Sequence, residues 1–417
     1  MNEKQNLRLK RNVGLDYVHT FLSNMNMQSS IWVLYLAYCG LHLAQIGLLE
    51  GIYHATSIVC EIPSGASADL WGRKRCMVLS NLCIAVSCVI MLFSKSFGWF
   101  AVSFAVQALG NNLNSGSEEA LVYDSMKCLG QEEHYMGVYG RLNVLIEVAQ
   151  GLATVAGGVL AEFSYFWCYA ACVVIAVLAL LPVLWMEPPQ CGKAADTAGG
   201  SAKDAPAEGT PAQRTIRETV KHHFAVSACI LQKDARIGKI IGFYSVVFAA
   251  HTLLFFYSQQ YFADFGYNKV QISVIMLLVG GASCLGALAS EKMYRRFGKR
   301  CLIPETVIIA AAILCYGSGK AGVAAAALMC AGFANAALYP IQSDSLNALI
   351  PSEQRATLIS VDSMCFSIAM IVLFPLAGAF ADRWGLKTVL LLLGAILLLF
   401  LLAAFCIEKE SFSSDHS

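Results

Sequence analysis

Charge is scarce in this chain. Only 14% of its 417 residues are Asp, Glu, Lys or Arg, and 57% are hydrophobic, whereas typical soluble domains are about a quarter charged. So few charges cannot cover the surface that so many apolar side chains would expose, and lipid must be the second solvent. The 16 cysteines form no C-x-x-C pair and no Cys/His metal spacing. They are scattered through apolar runs, among them Cys83, Cys88, Cys168, Cys172, Cys315 and Cys330, and read as small buried hydrophobes with free thiols. No metal and no cofactor is expected. A net charge of +1 carries no basic footprint, and no nucleic-acid partner is expected. The opening MNEKQNLRLKRN lacks a short apolar core with a small-residue cleavage site, so no signal peptide is expected. Nucleophile–base constellations, phosphate loops and a separate soluble domain are also missing, which leaves a membrane enzyme or sensor as a remote alternative.

Long apolar runs are what the chain has instead. A spanning helix needs about 20 mostly apolar residues, and about twelve such runs can be read. They lie near 14–38, 44–68, 75–94, 98–122, 137–161 and 165–186, then 236–260, 268–290, 301–319, 321–346, 356–380 and 387–407. The stretch EPPQCGKAADTAGGSAKDAPAEGTPA, from Glu187, is rich in Ala, Gly, Pro and charge and reads as a flexible linker. Arg214 to Leu231 then reads as an amphipathic surface helix. The expected organisation is a six-helix bundle over 1–187, a cytoplasmic linker over 188–235, and a second six-helix bundle with a short tail over 236–417. The fold class is all-α integral membrane, in two pseudo-symmetric halves.

Lys and Arg set the orientation. One set of loops holds Lys4, Arg8, Lys10 and Arg11, then Arg73, Lys74 and Arg75, then Lys127, the linker cluster, Lys292, Arg295, Arg296, Lys299, Arg300 and Arg355. The other set holds only Lys95, Lys269, Lys320, Arg383 and Lys387. Both termini are therefore expected on the cytoplasmic side of the cell membrane. The halves also echo each other: spans five and eleven end in AGGVLAE and LAGAFAD. Internal repeats of membrane helices mark many secondary transporters, with a substrate site near mid-membrane.

One short loop is more specific. Between spans two and three stand Gly65, Asp69, Gly72, Arg73 and Lys74, with Leu70 at a position that is usually basic in the pattern Gly-x-x-x-Asp-(Arg/Lys)-x-Gly-Arg-(Arg/Lys). This resembles the hallmark of the major facilitator superfamily, and the resemblance covers essentially the whole chain. The phrases EIPSGASADLWGRKR, NSGSEEALVYDS and IPSEQRATLIS look like bacterial drug:proton antiporters. Physically the loop suits a latch. Gly65 allows close approach, Gly72 a tight turn, Asp69 can cap a helix, and Arg73 can pair with a carboxylate. The resemblance supplies the partners: span eleven for Asp69 and Asp124 for Arg73. A look-alike, Gly378-x-x-x-Asp382-Arg383-x-Gly385, falls by crossing count on the opposite face, either as a closure of the outer side or as a plain turn.

Ionisable and amide side chains in a membrane helix usually face a cavity or a partner. Counting about 100° per residue, Glu50, His54, Ser57 and Glu61 share one face, and so do Asn143, Glu147, Gln150 and Thr154. Gln107, Asn111, Asn114, Ser115 and Glu118 form a broader stripe. Tyr17, Asn24, Gln28 and Tyr35 align on span one, Tyr244, His251, Phe255 and Ser258 on span seven, and Asn335, Tyr339 and Gln342 on span ten. Spans three, six, nine and twelve are the blandest, as the outer helices of the resembling family would be. Carboxylates in low dielectric and histidines exchange protons near neutrality. Glu50, His54 and Glu147 are thus proton-coupling candidates, with Arg141 as counter-charge and Glu61 and Glu118 near helix ends. Cavity candidates are Asn24, Gln28, Tyr35, Asn111, Asn114, Asn143, Gln150, His251, Phe255, Asn335, Tyr339 and Gln342.

The chain departs from the antiporters in two places. Val106 and Gln107 stand before Gly110 where many carry an arginine, and Ala153-Thr154-x-x-Gly157-Gly158 lacks their proline. The expected function is alternating-access transport of a small organic solute or drug by a monomer in the lipid bilayer, as proton-coupled efflux. The alternative is proton-coupled or facilitated uptake of a small metabolite.

Overall fold

The computed structural model describes residues 3–189, 235–298, 302–347, 349 and 355–414. The linker and the amphipathic helix expected after it lie outside these residues, as do Lys299 and Arg300. The described residues form the helices α1 (Glu3–Ser23), α2 (Trp32–Tyr38), α3 (Leu43–Trp71), α4 (Arg73–Phe93), α5 (Phe97–Asn114), α6 (Ser117–Cys128), α7 (Tyr135–Phe163) and α8 (Tyr165–Trp185). The second half supplies α9 (Ala235–Asp264), α10 (Lys269–Phe297), α11 (Leu302–Cys315), α12 (Ala321–Asn347), α13 (Arg355–Trp384) and α14 (Leu386–Ser414). No strand occurs among the described residues.

Seven of these helical segments are long and apolar enough to cross a membrane by length and composition: those of α4, α7, α8, α9, α10, α12 and α13. The apolar parts of α11 and α14 are shorter. Two expected spans are broken, and each break has a local cause. Span one is not a single helix, because the chain turns between Ser23 and Trp32. There the Asn24 amide donates to the Thr20 carbonyl at 2.8 Å, and the Asn26 N–H donates to the Asn24 carbonyl at 2.8 Å. Asparagine competes in this way with the helical ladder. Span four divides into α5 and α6 at Gly116, whose φ of 74° is left-handed and costs a glycine little. The free-thiol expectation holds for eleven described cysteines, but Cys128 is disulfide-bonded.

The described residues fall into two compact units. One holds the chain up to Gln28, Ala55–Ala156 and the described residues from Ser164 to 189. In it α4 packs on α5 and α8, and α1 on α6 and α8. Its apolar clusters join Met77, Leu121, Val183 and Met186, and Val122, Met126, Val138 and Leu142. Ser87 and Ser103 pair across α4 and α5 at 2.9 Å.

The other unit holds Ser29–His54, Gly157–Phe163 and the described residues from 235 onward. The ends of α3 and α7 therefore belong to a unit built mainly from the second half of the chain. Here α10 packs on α12, and α11 on α12 and α14. Lipid gives no hydrophobic drive for helices to associate, so close contact through small residues carries more of the association. Gly286 of α10 is such a contact: a Cβ there would lie 2.9 Å from the Phe333 carbonyl carbon and 3.0 Å from its Cα. Backbone cannot yield as a flexible side chain can. Gly286→Ala is expected to lose about 1–3 kcal/mol by overpacking, read as a lower thermal unfolding midpoint in detergent. Gly280→Ala, with nothing within 4 Å of its Cβ, serves as the neutral control on the same helix.

Candidate functional site

The Gly72 turn between α3 and α4 has φ of 89°, which only glycine adopts without strain. The turn delivers two cations to neighbouring helices, Arg73 to the body of α6 and Lys74 to the end of α8. The Arg73 guanidinium pairs with Asp124 and donates to the Ala120 carbonyl at 2.6 Å. Lys74 Nζ donates to the carbonyls of Leu184 and Met186 at 2.8 and 2.7 Å, satisfying orphan groups at the C-terminus of α8. The side chain of Asp69 and the surroundings of Gly65 lie outside the described residues.

The second copy of the pattern sits at the other end of α3. That helix has 29 residues, roughly 43 Å at about 1.5 Å per residue. At its N-terminus Asp382 Oδ1 accepts from the Leu43 N–H and Oδ2 from the Ala44 N–H, both at 2.9 Å. Gly378 makes room for this, since a Cβ there would lie 2.6 Å from the Leu43 carbonyl carbon. The echo at the end of span five does the same to a different helix. Glu162 Oε2 accepts from the Lys269 N–H at 2.9 Å, at the start of α10. A Cβ on Gly158 would lie 2.9 Å from the Lys269 carbonyl oxygen. Glycine, three residues, then a carboxylate thus holds a helix N-terminus twice in this unit. Within Gly378 to Gly385, the side chain of Asp382 reaches another helix.

Two titratable patches lie inside the helices. On α3, Glu50 and His54 are each 8% exposed and stand 3.6 Å apart one turn apart. His54 Nδ1 also lies 3.2 Å from Ser367 Oγ of α13. The other patch joins α1 to α6. Asp16 is 1% exposed and His19 fully buried. Glu118 Oε1 accepts from Thr20 Oγ1 at 2.7 Å and lies 3.9 Å from His19 Nε2. Glu118 Oε2 accepts from Asn114 Nδ2 at 2.6 Å. Neither carboxylate oxygen of Asp16 has a hydrogen-bond partner.

Beside this patch, within the same unit, a cavity of about 220 Å³ opens between α1, α4, α5 and α8. Of the expected cavity residues, Asn24, Gln28, Asn111 and Asn114 line it. Gln150 reaches its edge by donating to Asn24 Oδ1 at 3.3 Å. Tyr35 is buried in α2, in the other unit. Arg141, Asn143 and Glu147 have exposed side chains on α7, and Glu61 is half-buried on α3. In the second half, Gln342 Nε2 donates to Asp362 Oδ1 at 3.3 Å, joining α12 to α13. The buried His251 Nε2 and Asn335 Oδ1 have no hydrogen-bond partner. Tyr339 is exposed and touches Phe248, and Phe255 packs on Phe256.

Asp16 and His19 were absent from the expected site. Their signal was present in the chain, as two titratable residues three apart at the start of span one, on one helical face with Thr20. They sit just past the basic flank of the N-terminus, which masks them in a reading of charge.

Apolar helices enclosing buried acids, histidines and an amide-lined cavity define a polytopic membrane carrier. The chain belongs to the Major Facilitator Superfamily, whose family model matches residues 18–361 and 306–415. An uncharacterized MFS-type transporter of Bacillus subtilis (strain 168), YxaM, is 21% identical over 379 residues, 90% of each chain. Among solved structures, the nucleoside transporter NupG matches with a TM-score of 0.74 at 15% identity, over 98% of this chain and 100% of its own. A D-xylose-proton symporter matches with a TM-score of 0.67 at 13% identity, over 96% and 97%. The all-helical fold expected from the sequence is that of the superfamily, and the protein is a membrane transporter of a small molecule, not an enzyme.

The cap on α3 can be measured directly. Losing an N-cap typically costs about 1 kcal/mol, or about a fivefold change in a local opening equilibrium. Asp382→Ala is therefore expected to speed amide exchange at Leu43 and Ala44 by about that factor. Unchanged exchange would mean that the two bonds hold nothing in place.

Proposed function

We propose that this protein carries a small polar solute across the cell membrane by proton-coupled alternating access, with both termini cytoplasmic. The observation that carries the reading is the patch of Asp16, His19 and Glu118. Buried charge is expensive in a membrane helix and usually functional. Asp16, with both carboxylate oxygens unpartnered, can take up a proton without giving up any bond. Glu118 accepts from both Thr20 and Asn114. Asn114 lines the cavity, so a change of charge in the patch reaches the cavity wall through one shared hydrogen bond. The Glu50–His54 pair is a second proton station. Arg141 and Glu147 take no part in this scheme.

The resemblance to drug antiporters suggested export of a partly hydrophobic compound. An amide-lined cavity suits a polar solute better, so proton-coupled uptake of a small metabolite is the preferred reading. The superfamily loop and Arg73–Asp124 serve as the cytoplasmic latch. The carboxylate caps at Leu43 and Lys269 serve as closures of the outer side.

Asp16→Asn keeps the size of the side chain and removes its titration. In proteoliposomes the variant is expected to lose solute-driven proton movement while still exchanging labelled solute for unlabelled solute. Proton movement at the wild-type rate in Asp16→Asn would overturn the coupling role.

A further inference from the structure

We infer that the cavity in the first unit binds an uncharged, hydroxyl-rich solute about the size of a single sugar ring. The inference rests on the transport reading above and names the substrate class for it.

Size sets the first limit. A cavity of about 220 Å³ holds about seven waters at about 30 Å³ each, and lies below the range of about 300–1,000 Å³ usual for drug-sized ligands. One ring with its substituents fits, and an extended drug does not.

The lining sets the chemistry. Seven carboxamides, Asn24, Asn26, Gln28, Asn81, Gln107, Asn111 and Asn114, line the cavity. Each amide offers donors and an acceptor together, which is the complement of a hydroxyl, itself donor and acceptor. The lining also holds apolar side chains, Ile84, Ile175, Ala176 and Ala179. A sugar ring combines the same two features, with C–H faces and hydroxyl edges. Among the described residues the lining contains no Asp, Glu, Lys or Arg to neutralise a phosphate, carboxylate or amine. It also contains no Phe, Tyr or Trp on which a nucleobase could stack.

Independent of the lining's composition, three of its polar atoms lack partners. Gln28 Oε1, on a residue 8% exposed, His19 Nε2, on a residue fully buried, and Asn114 Oδ1 have no hydrogen-bond partner within the protein. Buried polar groups are rarely left so, and two acceptors beside an imidazole nitrogen are a ready set for adjacent hydroxyls. The Asn114 amide holds Glu118 with its nitrogen and leaves its oxygen for the ligand. Occupancy and protonation then share one side chain.

Two native thiols report on occupancy, because Cys88 and Cys172 line the cavity while Cys60 of α3 does not. The unaltered protein in nanodiscs is treated with a small permeant maleimide, and modification of each cysteine is followed by mass spectrometry. Glucose or xylose is expected to slow modification of Cys88 and Cys172 and to leave Cys60 unchanged. Glucosamine, glucose 6-phosphate and uridine are expected to give no protection. Gln28→Met and Gln107→Met should each weaken protection by about tenfold, the loss of a hydrogen bond with its partner left unpaired. Failure of every neutral sugar to protect would reduce the cavity to a water-filled space and overturn the proposal. Equal protection by uridine or a charged sugar would overturn it too. A sugar that protects but moves no protons would sink the coupling reading and keep the site. Proton movement driven by another solute, with Cys88 and Cys172 unprotected, would do the reverse.

Discussion

A hydrocarbon solvent cannot hydrogen-bond a backbone, so every amide at membrane depth must find its partner within the protein. Much of this structure follows from that constraint. Where the chain stays helical, the ladder satisfies it. Where a helix starts or stops, four donors or four acceptors are orphaned, and side chains are sent to meet them. Lys74 covers the last carbonyls of α8, Asp382 covers the first amides of α3, and Glu162 covers the start of α10. Each of these contacts lies between helices far apart in sequence. Satisfying a helix end and holding two helices together are therefore the same act.

That double role explains why glycine accompanies the carboxylate. An acid on a neighbouring helix reaches an N-terminus only if the two backbones come close, and Gly158 and Gly378 remove the side chain that would keep them apart. In the superfamily loop, Gly72 instead supplies a left-handed turn that brings Arg73 against α6 and Lys74 under the end of α8. A similar string of residues thus does different physical work at the two ends of α3.

Buried polar side chains obey the same accounting, and their exceptions are informative. Several amides and hydroxyls inside the helices bond a carbonyl one turn back, as Asn81, Ser125 and Ser345 do. Asp16, His19, Gln28 and Asn114 each keep at least one atom unpaired, and they gather around one cavity and its flank. The unpartnered atoms of His251 and Asn335 belong to the other unit.

The sequence by itself determined the solvent, the helices and the superfamily. Low charge and long apolar runs required lipid, the Gly65-to-Arg75 pattern identified the family, and the matching ends of spans five and eleven were visible as text. The Arg73–Asp124 partnership was reached from the family resemblance and is present in the structure. Helical arithmetic also found the amides Asn24, Gln28, Asn111 and Asn114. It could not find their neighbours, because a periodicity says which side chains share one helix face and not which faces meet. The cavity is closed by Asn81 and Ile84 of α4 and by Cys172 and Ile175 of α8, on spans that read as the blandest. The patch of Asp16, His19 and Glu118 draws on residues about a hundred positions apart, placed together only when α1 packs on α6. Local pattern fixes what a helix can offer, and tertiary packing decides which offers are left without a partner.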